Sequence, residues 1–243
     1  LQHYNILHVA SRYNHYSLIR SLLHKYNEIE LDSKEQEYGY TPLTLALVLE
    51  HKEAAIELIQ AGSSLKELSN NGRSPLFVVA EKGALEVLKF IESNQKDFDY
   101  ETRVALPTGL RMLHVACFHR QLKIVSYLID TKVNINSLSD DGGFSPLHMS
   151  ILGNCDEAAI NLIRAGACSR QSAISGRTTM FMAIDQGMTE VVRLLLRSDT
   201  KNVRINTPMS LNLTDGGHSA LSQAIVFKKG TLLHSLVDLG ADL

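Results

Sequence analysis

Apolar residues recur along this chain in short blocks that share one inner rhythm. Leu7, Leu43, Leu76, Leu113, Leu147, Met180 and Leu221 each anchor a block, at separations of 36, 33, 37, 34, 33 and 41 residues. A small residue three places on, as in Leu113 and Ala116, puts both side chains on one face of a short helix. Further along each block lies a second apolar cluster at helical spacing, such as Val191, Val192, Leu194, Leu195 and Leu196. The pattern predicts helix pairs repeated seven times. A period near 33 with additions is the mark of a stacked array.

The polar positions punctuate the blocks. Gly39, Gly72, Gly109, Gly143, Gly176 and Gly217 stand just ahead of the anchors, where a tight turn needs positive φ. Ser or Thr then serves as N-cap, and Pro42, Pro75 and Pro146 take the first helical position, where no amide is missed. Helix breakers follow at Asn14-His15, Glu50-His51, Gly83 and Gly187, and Ala61-Gly62, Ala165-Gly166-Ala167 and Leu239-Gly240-Ala241-Asp242 close second helices.

These residues resemble the ankyrin-repeat family, whose signature is G-x-T-P-L-H-x-A, then G-H, then aliphatic residues, then G-A-D. The match is fullest at Gly143-Phe-Ser-Pro-Leu-His-Met-Ser and weaker at Thr44, Phe77, Arg111-Met112 and Ser222. The resemblance implies an all-α solenoid of stacked helix-turn-helix units with β-turn fingers. Its repeats run near 1–37, 38–69, 70–107, 108–139, 140–173, 174–215 and 216–243, as one domain. Leu232, Leu233, Leu236 and Val237 are expected on an open apolar face, which suggests a fragment of a longer array.

Composition narrows the function classes. The 243 residues carry a formal charge of −2, so no global field draws the chain to nucleic acid. No apolar run is long enough to span a bilayer. Three cysteines, Cys117, Cys155 and Cys168, are too few and too odd for a disulfide framework, which points to a cytoplasmic setting with the nucleus also open.

The stretch Leu113-His-Val-Ala-Cys-Phe-His119 invites a chemical reading, since His and Cys are metal ligands. In the repeat register, however, His114 is the histidine of the signature and Cys117 takes a small apolar position. His119 lies well round the helix from His114, and no fourth ligand is near in sequence, whereas structural zinc takes four. No Gly-rich phosphate loop, nucleophile elbow or carboxylate pair accompanies it. The expectation is no enzyme, no cofactor and no metal. Ser74-Pro75 and Ser145-Pro146 read as helix starts rather than accessible phosphorylation sites; Thr207-Pro208 and the sequon Asn212-Leu213-Thr214 are weak signals.

What remains is recognition of another protein, as a peptide segment or a domain edge, with no nucleic acid, membrane insertion or small-molecule substrate. Two sets of positions should face the groove of such a solenoid without packing duty. The first follows the turn glycine and includes Tyr40, Arg73, Leu110, Phe144 and Arg177. The second ends the first helix and includes Tyr13, Leu49, Glu81, Lys82, Phe118, His119 and Leu152. Aromatic and aliphatic residues there depart from a polar surface and suit interface anchors. The charged ones would set orientation and association rate. Extra residues at Glu30–Glu37, Lys96–Pro107 and Thr200–Asp215 extend the connecting loops or fingers, and the last reads either as a partner-specific loop or as a neutral excursion. The alternative is a regulatory or targeting arm of an enzyme or ion channel whose active domain lies elsewhere.

Overall fold

A computed structural model describes residues 4–26, 28–95, 98–169, 173–198, 219–239 and 241. Among them are fourteen helices and no strand beyond isolated bridges. They form two compact units, residues 1–112 and 113–243. The first holds α1 (Ile6–Arg12), α2 (Tyr16–Lys25), α3 (Pro42–Val48), α4 (Lys52–Gln60), α5 (Pro75–Lys82) and α6 (Leu85–Asn94). Next comes α7 (Met112–Phe118), starting at the boundary between the units. The second unit continues with α8 (Leu122–Asp130), α9 (Pro146–Leu152), α10 (Asp156–Arg164), α11 (Thr179–Gln186), α12 (Thr189–Ser198), α13 (Ala220–Val226) and α14 (Gly230–Asp238).

The first helices begin where the capping chemistry says they should. Asn5, Thr41, Ser74, Ser145, Thr178 and Ser219 each accept a hydrogen bond from the amide three residues on, at 3.0–3.3 Å. Ser74 and Ser145 are buried in these caps, so neither hydroxyl is open to modification. Each first helix ends in a left-handed residue: Asn14, Glu50, Gly83, Arg120, Asn154, Gly187 or Lys228. The next amide then reaches back five residues, as from His15 to Ala10 and from Gln121 to Ala116, both 2.8 Å. That bond turns the chain into the second helix. Five of the seven left-handed positions are not glycine, so the turn is imposed by packing rather than by backbone freedom.

The seven anchors, from Leu7 to Leu221, are all buried. Within the first unit α1 packs on α3 and α3 on α5, while α2 packs on α4 and α4 on α6. Within the second, α8 packs on α10, α10 on α12 and α12 on α14, with α9, α11 and α13 in a parallel row. The histidines of the signature serve this stacking. The two partners of His114 Nε2 are the carbonyls of Ser137 and Phe144, each 3.0 Å away, so that nitrogen carries the proton and donates to both. His8 Nε2 likewise donates to the Tyr40 carbonyl at 2.9 Å. Cys117 is fully enclosed, and burial pushes its thiol well above the usual range.

One expectation changes. Leu232 and Leu236 do not lie on an open face: one helical turn apart, they point inward from α14, which packs against α12 and α13. Leu233 is half-buried and only Val237 is exposed. The extra residues 30–37 and the described part of 96–107 extend fingers, in keeping with their reading as longer connections. Buried Glu35 accepts from the amides of Glu37, Tyr38 and Tyr40 at 2.7–2.9 Å. Val104 and Ala105 are buried, and Ala105 bridges both Arg73 and Leu110. The stretch 200–215, with Thr207-Pro208 and Asn212-Leu213-Thr214, lies outside the described residues.

Candidate functional site

Among the described residues, connections between helix pairs fold back as fingers pinned by a backbone bond across the base. Ser69 donates to the Arg73 carbonyl at 2.9 Å, Val104 to Leu110 at 2.8 Å, Ser139 to Phe144 at 2.9 Å and Ala173 to Arg177 at 3.0 Å. Neighbouring fingers are tied tip to tip: Asn70 to Tyr38 at 2.8 Å and Leu106 to Gly72 at 2.9 Å in the first unit, Ile174 to Gly142 at 2.9 Å in the second. Gly72 is bound to this geometry, because its φ is +74° and a Cβ there would run into the Leu106 carbonyl.

The residues after the turn glycines are drawn into this ladder. Tyr40 is half-buried and stacks on Tyr38, with centroids 5.3 Å apart and planes at 18°. Leu110 is half-buried in the finger whose base it closes. Phe144, also half-buried, meets the His148 ring edge-on at 6.1 Å. The guanidinium of Arg73 sits 4.5 Å over the Phe77 ring and 3.2 Å from Glu81. Arg177 is exposed, its guanidinium 5.4 Å over Phe181. The expectation that this set carries no packing duty is corrected for Tyr40, Leu110, Phe144 and Arg73. A finger is two chain segments thick, so large side chains near its tip fold against the neighbouring finger or the helix below.

Residues ending the first helices behave differently. Tyr13 is 63% exposed, Leu49 40%, and Phe118 and Leu152 41% each. Val226, at the same place in the last pair, is exposed too. In the first unit, Tyr13 and Leu49 end helices that pack side by side. Lys82, half-buried at the end of α5, lies 3.7 Å from Glu50 across the row. In the second unit, Arg120 Nε donates to the Gly153 carbonyl at 2.6 Å, and a Cβ on Gly153 would press on the Phe118 backbone. The ends carrying Phe118 and Leu152 are therefore adjacent. His119 is half-buried with its ring edge-on to Phe118 at 5.2 Å. Among the described residues no group of His, Cys, Asp or Glu is arranged to hold a metal ion, and no helix is long and apolar enough to cross a membrane.

Further exposed apolar side chains fall outside both predicted sets, chiefly Ile6, Val9, Tyr16 and Leu18 on the first helix pair, Ile174 on a finger and Ile225 on the last pair. Superposing the repeats in sequence hides Ile6, Val9, Leu18 and Ile225, because the aligned residues of other copies are core and give no sign that these four are open.

Comparison with known proteins agrees with this architecture. Two family models match, ankyrin repeats (3 copies) over residues 7–103 and ankyrin repeats (many copies) over residues 113–163. The chain is 25% identical over 197 residues to the Nuclear factor NF-kappa-B p105 subunit of Gallus gallus, covering 79% of this chain and 20% of that protein. It is 25% identical over 211 residues to the B-cell lymphoma 3 protein homolog of Mus musculus, covering 84% and 46%. The chain thus spans less than half the length of either relative. Among solved structures, the ankyrin repeat domain of Bcl-3 superposes with a TM-score of 0.77 at 22% identity, covering 98% of this chain and all of that one. The human ASB11 ankyrin repeat domain gives 0.75 at 17%, covering 99% and 100%. With seven helix pairs, six of them opened by a side-chain cap, finger-linked stacking and these matches, the chain belongs to the ankyrin-repeat family.

Proposed function

We propose that this chain is a non-catalytic protein-interaction module that seats a peptide segment or a domain edge along its first-helix ends, with the finger tips as flanks. One observation carries the reading. Tyr13 and Leu49 in one unit, and Phe118 and Leu152 in the other, are large apolar side chains held open to water on rigid helix ends. The fold needs nothing from them there. Apolar side chains on a preorganised surface bind with little ordering cost, and central anchors are each worth ~2 kcal/mol or more once desolvated. Lys82, Glu81, Arg73 and Arg177 supply charge beside them, which favours steering of the encounter over net affinity.

Partners captured by proximity crosslinking in cells would be identified, then titrated against purified chain. Tyr13→Ala with Leu49→Ser, or Phe118→Ala with Leu152→Ser, is expected to weaken the partner by more than about tenfold. The melting temperature should stay within about 2 °C. Unchanged affinity in both double variants would refute the surface. A partner that is DNA or RNA, bound tightly and with steep salt dependence, would refute the class.

A further inference from the structure

The first helix pair differs from the other six on one face only. Leu18 in α2 is 42% exposed, whereas the residues aligned with it, Ala54, Val87, Ile124, Ala158, Val191 and Leu232, are at most 2% exposed. Val9 in α1 is exposed, while Leu45, Val78, Val115, Met149 and Met182 in its place are buried. Ile6 is exposed where Pro42, Pro75 and Pro146 are buried, and Leu22 is half-buried where Leu58, Ile91, Leu128 and Leu162 are fully so. At internal positions this face is covered by the preceding pair: α1 covers α3, α3 covers α5, and α9 covers α11. A pair built to end an array turns a polar face outward. This one turns out Ile, Val and two Leu, the residue types of an interior junction.

We propose that Ile6, Val9, Leu18 and Leu22 form a stacking face for one more helix pair of the same grammar, joined to Tyr4 in the same polypeptide. The occupant follows from continuity with an interface that the chain already repeats. The covering pair presents the residues aligned with Ser11 or Leu47 from its first helix and with Ile19 or Ala55 from its second, all of which are buried at internal junctions. Where the connection is described, the covering pair is also joined directly to the pair it covers, through a finger. Seating such a pair removes the exposed Leu and Ile from water and restores the nearest-neighbour coupling on which a repeat array depends.

The test places a second copy of residues 38–69 ahead of Tyr4 and follows thermal unfolding. The expected result is a rise in melting temperature on the order of 5 °C, lost when Leu18→Lys is introduced into the extended chain. In the unextended chain, Leu18→Lys should leave the melting temperature unchanged, which shows that the substitution itself folds. An extension that gives no rise, or a rise that survives Leu18→Lys, overturns the proposal. So does sedimentation showing that the unextended chain self-associates through this face, with the association abolished by Leu18→Lys, because the occupant is then a second copy.

Discussion

Tyr40 and Tyr13 are placed by the same repeat, one beside a finger tip and the other at the end of a helix. Tyr40 stacks on Tyr38, and its carbonyl accepts a hydrogen bond from His8 Nε2; Tyr13 stands mostly in water. The contrast extends to Phe144 against Leu152 in the second unit, where Phe144 is half-buried and accepts from both Ser139 and His114. Fingers are part of the load-carrying structure, and helix ends are not. Substitution without a folding penalty is therefore expected at the helix ends, where the proposed binding surface lies.

The sharpest way to break this contrast is His114→Ala. It takes the His114 donor from the buried Ser137 carbonyl, leaves the Phe144 carbonyl with the Ser139 amide alone, and opens a cavity. The expected loss, read from chemical denaturation, is about 3 kcal/mol. A loss under about 1 kcal/mol would mean that the finger is not held from below. Gly72→Ala should cost somewhat less, about 2 kcal/mol, because it combines a positive φ with a collision against the Leu106 carbonyl. An unchanged unfolding midpoint would show that neighbouring fingers move apart freely. At the other side of the comparison, Leu49→Ser and Leu152→Ser should each stay within about 0.5 kcal/mol of the parent. A cost above 2 kcal/mol for either would move helix ends into the core and remove the basis for the binding surface.

Much of this was legible in the residues. Caps at Thr41, Ser74 and Ser145, the turn glycines and the apolar anchors are local signals, and each acts through bonds within a few residues of itself. The reading of His114 and Cys117 as scaffold also follows from register alone. The tip residues were harder. Tyr40 stacks on Tyr38 and Phe144 meets His148, in fingers that are tied to their neighbours by bonds from Asn70 to Tyr38 and from Ile174 to Gly142, and no local pattern announces those pairings. The last helix was misjudged for a related reason. Leu232 and Leu233 are adjacent in sequence, and only packing against α12 and α13 decides which of them turns inward.

By itself, then, the sequence determined the repeat, its seven helix pairs and the chemistry that starts and stops each helix, because those rest on short-range hydrogen bonding and helical periodicity. Tertiary structure alone decided which apolar residues are spent. Burial is a property of what lies across the junction, so Leu18 and Ala54 occupy the same place in the grammar and meet different surroundings. The same holds for Tyr13 and Tyr40: one residue type at two places in the repeat grammar, left open on a helix end or stacked within a finger.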